Sequence, residues 1–316
     1  MSGIYVLHEN NEWVEPLRVA LHRRDLPFEE WFLDRGVVDL SLAPPAGVFY
    51  NRMSASSHTR GHRYAPEYTA AVLTWLEQHG RRVLNGSRAL QLEVSKVAQY
   101  AALRARDIRI PRTVAAVGRD QIMQAATDMP YPLITKHNRA GKGLGVRLFH
   151  DVDALRGYVE GPEFEPSVDG ITLVQKYINS PETFITRVEF VGGELLYAVR
   201  VDTSQGFELC PADACRVEDA FCPAGEEAGS LFQILDRFEH PLVAQYAQVL
   251  ADHDIHIAGV EFIEDAAGVT YTYDINTNTN YNSEAEATAG QFGMGAIADC
   301  LGRELRALGD SGLGGA

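Results

Sequence analysis

The sequence predicts an α/β chain of mixed α+β character, and three observations carry that reading. Strand-like and helix-like runs alternate over the first 86 residues. A strand, a glycine-rich turn and a second strand follow one another between 133 and 149. Two strand-like runs, 259–263 and 271–276, flank Glu264-Asp-Ala-Ala-Gly268, which has hairpin-turn composition.

The N-terminal elements read as strand 3–8, amphipathic helix 12–24, strand 28–33, strand 47–52 and helix 66–80. In the last of these Tyr68, Ala71, Val72, Trp75 and Leu76 recur at helical spacing. A short strand at 82–86 ends in the turn pair Asn85-Gly86. Such alternation gives a small domain with a largely parallel sheet, and ligands collect beyond the carboxyl ends of such strands. The loop 51–63 occupies that place and is basic and hydroxyl-rich in an acidic protein. A loop that binds a substrate anion and a plain surface loop both fit it.

Further along, 88–106 reads as one helix, and 113–117 and 133–136 as strands around a helix at 119–127. Then comes Lys136-His-Asn-Arg139-Ala-Gly141-Lys142-Gly143-Leu-Gly145-Val146, leading into a strand that ends at Phe149. No helix follows, so this is neither a Walker loop nor a dinucleotide fingerprint. A strand–glycine loop–strand unit can form a flap whose amides and lysines close over phosphates, although a glycine-rich hairpin loop has the same composition. A polar stretch at 161–170 precedes the strand 171–178, and strands 184–190 and 194–201, a helix at 241–253 and a final helix at 294–307 complete the chain. The glycine-rich residues 309–316 read as a disordered tail.

Tyr271-Thr-Tyr-Asp274-Ile-Asn276 is the most informative segment. Residues i and i+2 of a strand share a face, so Asp274 and Asn276 project together, near Glu261 on the preceding strand. Two carboxylates and an amide supply only oxygen ligands, which suits a hard cation such as Mg²⁺ and hence nucleotide phosphates. A solvated hairpin with a polar loop would carry the same residue types.

Net charge is −15, from 28 Lys and Arg against 43 Asp and Glu. That balance argues against non-specific nucleic-acid binding, and any anionic ligand must be met by local cations, backbone amides or a metal. No apolar run approaches the roughly 18 residues that a membrane helix needs. Cys210, Cys215, Cys222 and Cys300 match no zinc-finger spacing and no secreted disulfide framework. A reduced, cytoplasmic protein is the expectation.

In their order, these elements resemble the ATP-grasp superfamily, and within it the RimK-like carboxylate–amine ligases, from about Asn51 to Asn282. The resemblance implies an N-terminal pre-ATP-grasp domain (1–86), a central lid subdomain with the flap (87–170), a C-terminal antiparallel-sheet subdomain with the metal site (171–308) and the tail (309–316). It implies that ATP is held by Lys96, Lys136, Gly141, Lys142, Gly143 and Gly145, and by the linker Gln175, Lys176, Tyr177 and Ile178. Ile185 stands where the family usually has an acidic residue, so ribose contact passes to Glu182. Glu261, Asp274 and Asn276 match the metal set, taking one or two Mg²⁺ ions, with Mn²⁺ as the alternative.

Arg187 and Arg200 are the candidates for steadying the substrate carboxylate and the tetrahedral oxyanion. Arg52, Ser54, Asn280 and Asn282 are those for substrate contact. The implied reaction joins a carboxylate to an amine through an acylphosphate, releasing ADP and phosphate, with an amino acid such as glutamate as substrate. A ligase acting on a peptide or protein, and a non-catalytic ATP-binding protein of the same fold, are the alternatives. Relatives of this kind are often oligomers. Residues 206–213 replace an Asn-rich stretch of the family near the substrate position.

Overall fold

The computed structural model describes residues 2–141, 143, 145–204 and 231–311. Three sheets organise them. The first is parallel, in the order β2-β1-β3-β4, from β1 (Gly3–His8), β2 (Phe28–Phe32), β3 (Gly47–Asn51) and β4 (Arg82–Leu84). Its central strands are apolar on both faces because helices cover both. Tyr5, Leu7 and Phe49 pack against Val72, Leu73 and Leu76 of the helix Ala65–Gln78. Ile4, Val6 and Val48 share a core with the helices Asn11–His22 and Gly293–Ser311.

The second sheet is antiparallel, in the order β5-β8-β6-β7, from β5 (Thr113–Ala116), β6 (Leu133–His137), β7 (Arg147–Phe149) and β8 (Thr172–Lys176). The third, also antiparallel, runs β11-β10-β9-β12-β13, from β9 (Phe184–Val191), β10 (Glu194–Asp202), β11 (Phe232–Ile234), β12 (Ile257–Glu264) and β13 (Thr270–Asn276).

Several boundaries differ from the sequence expectations. The helix expected over 88–106 is two, Ser87–Glu93 and Lys96–Arg104. Ser95 separates them because its hydroxyl accepts from Ala98 N and caps the second. Both pack on the third sheet, where Ala89, Leu92, Tyr100 and Leu103 meet Val188, Phe190 and Val260. Strand β8 pairs with β5 and β6, so the central sheet continues past the boundary expected at 170. Helices Val152–Glu160 and Ser283–Ala289 and strand β11 were not anticipated. The last helix reaches Ser311, beyond the expected start of the tail at 309. Lys142, Cys210, Cys215, Cys222 and the 206–213 replacement lie outside the described residues. Among the described residues, no helix is long and apolar enough to cross a membrane.

Candidate active site

The β12–β13 hairpin sets Glu261 directly opposite Asp274, and the register shifts immediately after Glu261. Two residues on, Asn276 returns to the face of Asp274, and its Nδ2 donates to Glu261 Oε1 at 3.2 Å. The three side chains thus converge as the alternation predicts.

Helix Lys96–Arg104 begins against this hairpin, and Lys96 Nζ donates to Asp274 Oδ1 at 2.6 Å. From β6 of the central sheet, Lys136 Nζ donates to Tyr100 Oη at 3.1 Å and lies 5.7 Å from the ring centres of both Tyr100 and Tyr273. On β9, between β10 and β12, Arg187 reaches across to Glu261 Oε1 at 2.9 Å and Thr279 Oγ1 at 2.7 Å, and it also pairs with Glu189. Gly259 on β12 makes room for that guanidinium, since a Cβ there would stand 2.5 Å from Arg187 Nη2.

Low polarity tunes these groups. Burial works against ionisation of Asp274, but Lys96 and Lys136 outweigh it and hold the carboxyl below its ordinary range. Burial pushes Glu261 up, against the pull of Arg187. Burial likewise lowers Lys136, against Asp274 and Glu261. Among the described residues, no group of three His, Cys, Asp or Glu side chains converges to hold a metal. The oxygen donors that the hairpin offers are the two carboxylates and the Asn276 amide oxygen, to which ligand or solvent oxygens would have to be added, and such a set would fit Mg²⁺. A cation there would also counter the burial that disfavours ionised Glu261.

These groups line one cavity of about 320 Å³ between the central and third sheets. Gly141 and Gly143 border it, as do Gln175 and Lys176 at the end of β8 and Tyr177, Ile178 and Glu182 beyond it. The Gln175 side chain is already committed, donating to Tyr100 Oη at 2.9 Å and Thr113 Oγ1 at 2.7 Å. Gly145 is not on the cavity wall; it turns the loop at φ 72° against the His137 ring, which leaves no room for a Cβ. Ser54 faces the cavity beside Ser56, with their hydroxyls 2.9 Å apart.

Three further expectations need correction or refinement. Arg200 is exposed, stacked over Phe184 with its Cζ 4.4 Å from the ring centre, and does not line the cavity with Arg187. It pairs in register with Thr186 rather than Arg187, and that one-residue offset puts it on the other face of the sheet. Arg52 is buried behind the wall and donates to Asn280 Oδ1 at 2.9 Å and the Thr279 carbonyl at 3.2 Å, so it positions the cavity-lining Asn280. Asn282 caps the helix Ser283–Ala289 by accepting from Ala285 N at 2.9 Å.

The cavity also holds residues the sequence reading missed, Trp13, Glu93 and Asn278 among them. Buried Glu189, two residues after Arg187 on one strand face, was detectable from alternation. Glu93 gave no sequence signal, because a glutamate closing a short helix is ordinary.

No family model matches the chain. Alpha-aminoadipate–LysW ligase LysX of Sulfurisphaera tokodaii is 25% identical over 178 residues, covering 53% of this chain and 62% of the relative's length. A RimK-domain ATP-grasp protein from Sphaerobacter thermophilus superposes with a TM-score of 0.63 at 19% identity, covering 94% of this chain and 98% of that one. The ATP-grasp ligase PsnB, solved with a minimal precursor, Mg and ADP, gives 0.65 at 16% identity, covering 96% of this chain and 97% of that one. These likenesses establish that the chain has the ATP-grasp fold.

Proposed function

We propose that this protein is an ATP-dependent carboxylate–amine ligase that forms an amide bond through an acylphosphate, with release of ADP and phosphate. The observation that carries this is the convergence of Lys96, Lys136, Arg187 and the Glu261–Asp274–Asn276 oxygen set on one cavity. The likeness to LysX and to PsnB, the latter solved with Mg and ADP, supports the same reading.

The adenine would lie against the 175–178 linker, with Glu182 near the ribose. Lys96 and Lys136 would neutralise the α- and β-phosphates, which a protein of net charge −15 must otherwise repel. Glu261, Asp274 and Asn276 would hold Mg²⁺, which when bound screens the phosphate oxygens and keeps the triphosphate in line. Arg187, fixed by Glu189, Glu261 and Thr279, would steady the carboxylate that attacks the γ-phosphate and the oxyanion that forms next. The Gly141–Gly143 flap would exclude water, which protects the acylphosphate from hydrolysis.

An amino-acid substrate and a peptide substrate both suit this reading; the PsnB complex with a precursor favours testing the second alongside the first. ADP release is measured with MgATP against a panel of free amino acids and short peptides, and the products are identified by mass. Stimulated ADP formation with an amide product is expected. AMP as product would overturn the acylphosphate route, and nucleotide binding without turnover on any pair would favour a non-catalytic binder.

A further inference from the structure

Glu93 ends the helix Ser87–Glu93 and lines the cavity, yet among the described residues no cation pairs with it. Its Oε1 accepts from Ala55 N at 3.1 Å. Its Oε2 accepts from Thr277 N at 2.8 Å and Thr277 Oγ1 at 3.0 Å. Ala55 stands between the cavity-lining Ser54 and Ser56, and Thr277 follows Asn276. The carboxylate therefore sits where the loop after the first sheet meets the metal-side strand.

Three donors leave about one of a carboxylate's four acceptor positions unused. The nearby cations are committed elsewhere: Lys96 to Asp274, Lys136 to Tyr100, Arg187 to Glu189 and Glu261. Burial drives the Glu93 carboxyl up from its ordinary range, opposed only by the Ala55 and Thr277 hydrogen bonds among the leading influences. A carboxyl whose charge is disfavoured by burial and offset by no counter-charge, bordering a ligand cavity, is complementary to a cation that the ligand brings.

We infer that Glu93 recognises the ammonium group of the amine substrate, so that the nucleophile is a primary aliphatic amine, cationic in solution. This rests on the ligase reading above. It assigns opposite charges to the two substrates' reacting ends, with Arg187 for the carboxylate and Glu93 for the ammonium. The arrangement selects against a hydroxyl nucleophile of the same shape, which brings no charge to Glu93.

The test compares two isosteric probes, L-alaninamide and L-lactamide, by calorimetric titration of the full chain, with and without saturating MgADP. The wild type should bind alaninamide at least roughly tenfold more tightly than lactamide, and Glu93→Gln should erase that preference. Equal binding of the two probes to the wild type overturns the inference. So does a Glu93→Gln protein that keeps its preference for alaninamide, or one in which MgADP affinity falls together with it, which would place Glu93 with the metal set. Should that variant fail to fold, hydrogen exchange on the wild type decides. Alaninamide should slow exchange at the Ala55 and Thr277 amides, and unchanged rates overturn the proposal. Failure of the wild type to bind MgADP would instead count against the ligase reading, and the nucleotide-free titration still tests Glu93.

Discussion

Lys136 and Asp274 carry opposite charge in one dry corner, and neither is held there by the other. Lys136 has a phenol and two aromatic faces around its ammonium, while Asp274 is bonded to Lys96. Burial lowers Lys136, so its positive form gains from any phosphate that enters. A hydrogen bond to a charged group contributes about 1.5–3 kcal/mol, so Lys136→Met should weaken MgADP binding by roughly 10- to 100-fold. Calorimetry checks this, and unchanged affinity would remove Lys136 from the phosphate site. A second residue-scale consequence follows at Gly259. Alanine there would push its Cβ into the Arg187 guanidinium, and relief requires Arg187 to move off Glu261. Gly259→Ala should therefore depress ligase turnover more than nucleotide affinity, and a fall in MgADP binding of equal size would show that Arg187 serves the nucleotide instead.

At the scale of elements, strand β13 is an edge strand whose outer side is closed by the helix beside it rather than by another strand. Gln99 donates to the Ile275 carbonyl at 2.8 Å and accepts from Ile275 N at 3.0 Å. Tyr100 Oη donates to the Tyr273 carbonyl at 3.1 Å, and Thr272 N reaches the Arg109 carbonyl at 2.9 Å. These bonds occupy the free edge next to Asp274 and fix the face it shares with Asn276. Gln99→Leu leaves the Ile275 amide and carbonyl unpaired, at about 1–3 kcal/mol each. Its denaturation midpoint should fall accordingly, and its Mg²⁺ dependence of nucleotide binding should shift to higher metal concentration. A loss of stability with unaltered metal dependence would mean the edge does not position the ligands.

The same strand shows how far the sequence could be read. Alternation alone put Asp274 and Asn276 on one face, and hairpin composition put Glu261 beside them. Gln99 and Glu93 were illegible, because their partners Ile275 and Thr277 lie 176 and 184 residues away in sequence, and helix periodicity marks only which face is buried. The break at Ser95 was hidden too, since a serine is tolerated in a helix until its hydroxyl turns to cap the next one. Arg200 failed for a different reason: a single-residue register offset decides its face, and a strand pattern without its partner does not reveal that offset.

For the molecule as a whole, the N-terminal and third sheets are one body and the central sheet is hung on it. The Asn85 side chain, at φ 55°, accepts from His256 N and Ile257 N and donates to the Ile257 and Thr277 carbonyls. One apolar core runs from Ile4 and Val48 of the first sheet to Val191 and Ile257 of the third, closed by Ile297 and Leu301 of the last helix. The central sheet has its own core, including Ile122, Leu133, Leu155 and Val174. Its polar ties to the remainder include Asn138 to the start of the helix Lys96–Arg104, Lys136 and Gln175 to Tyr100, Arg139 to Glu67, and the Val168 carbonyl to Arg63. Native-state hydrogen exchange should therefore find β5–β8 opening as a unit at lower free energy than β1, β3, β9 and β12. Because nucleotide would touch Lys136 and the 175–178 linker on one side and Lys96 and Asp274 on the other, MgADP should raise protection most in β6 and β8. Equal protection of all three sheets without nucleotide would show that the central sheet does not open on its own, and the flap would then have to close over a fixed cavity.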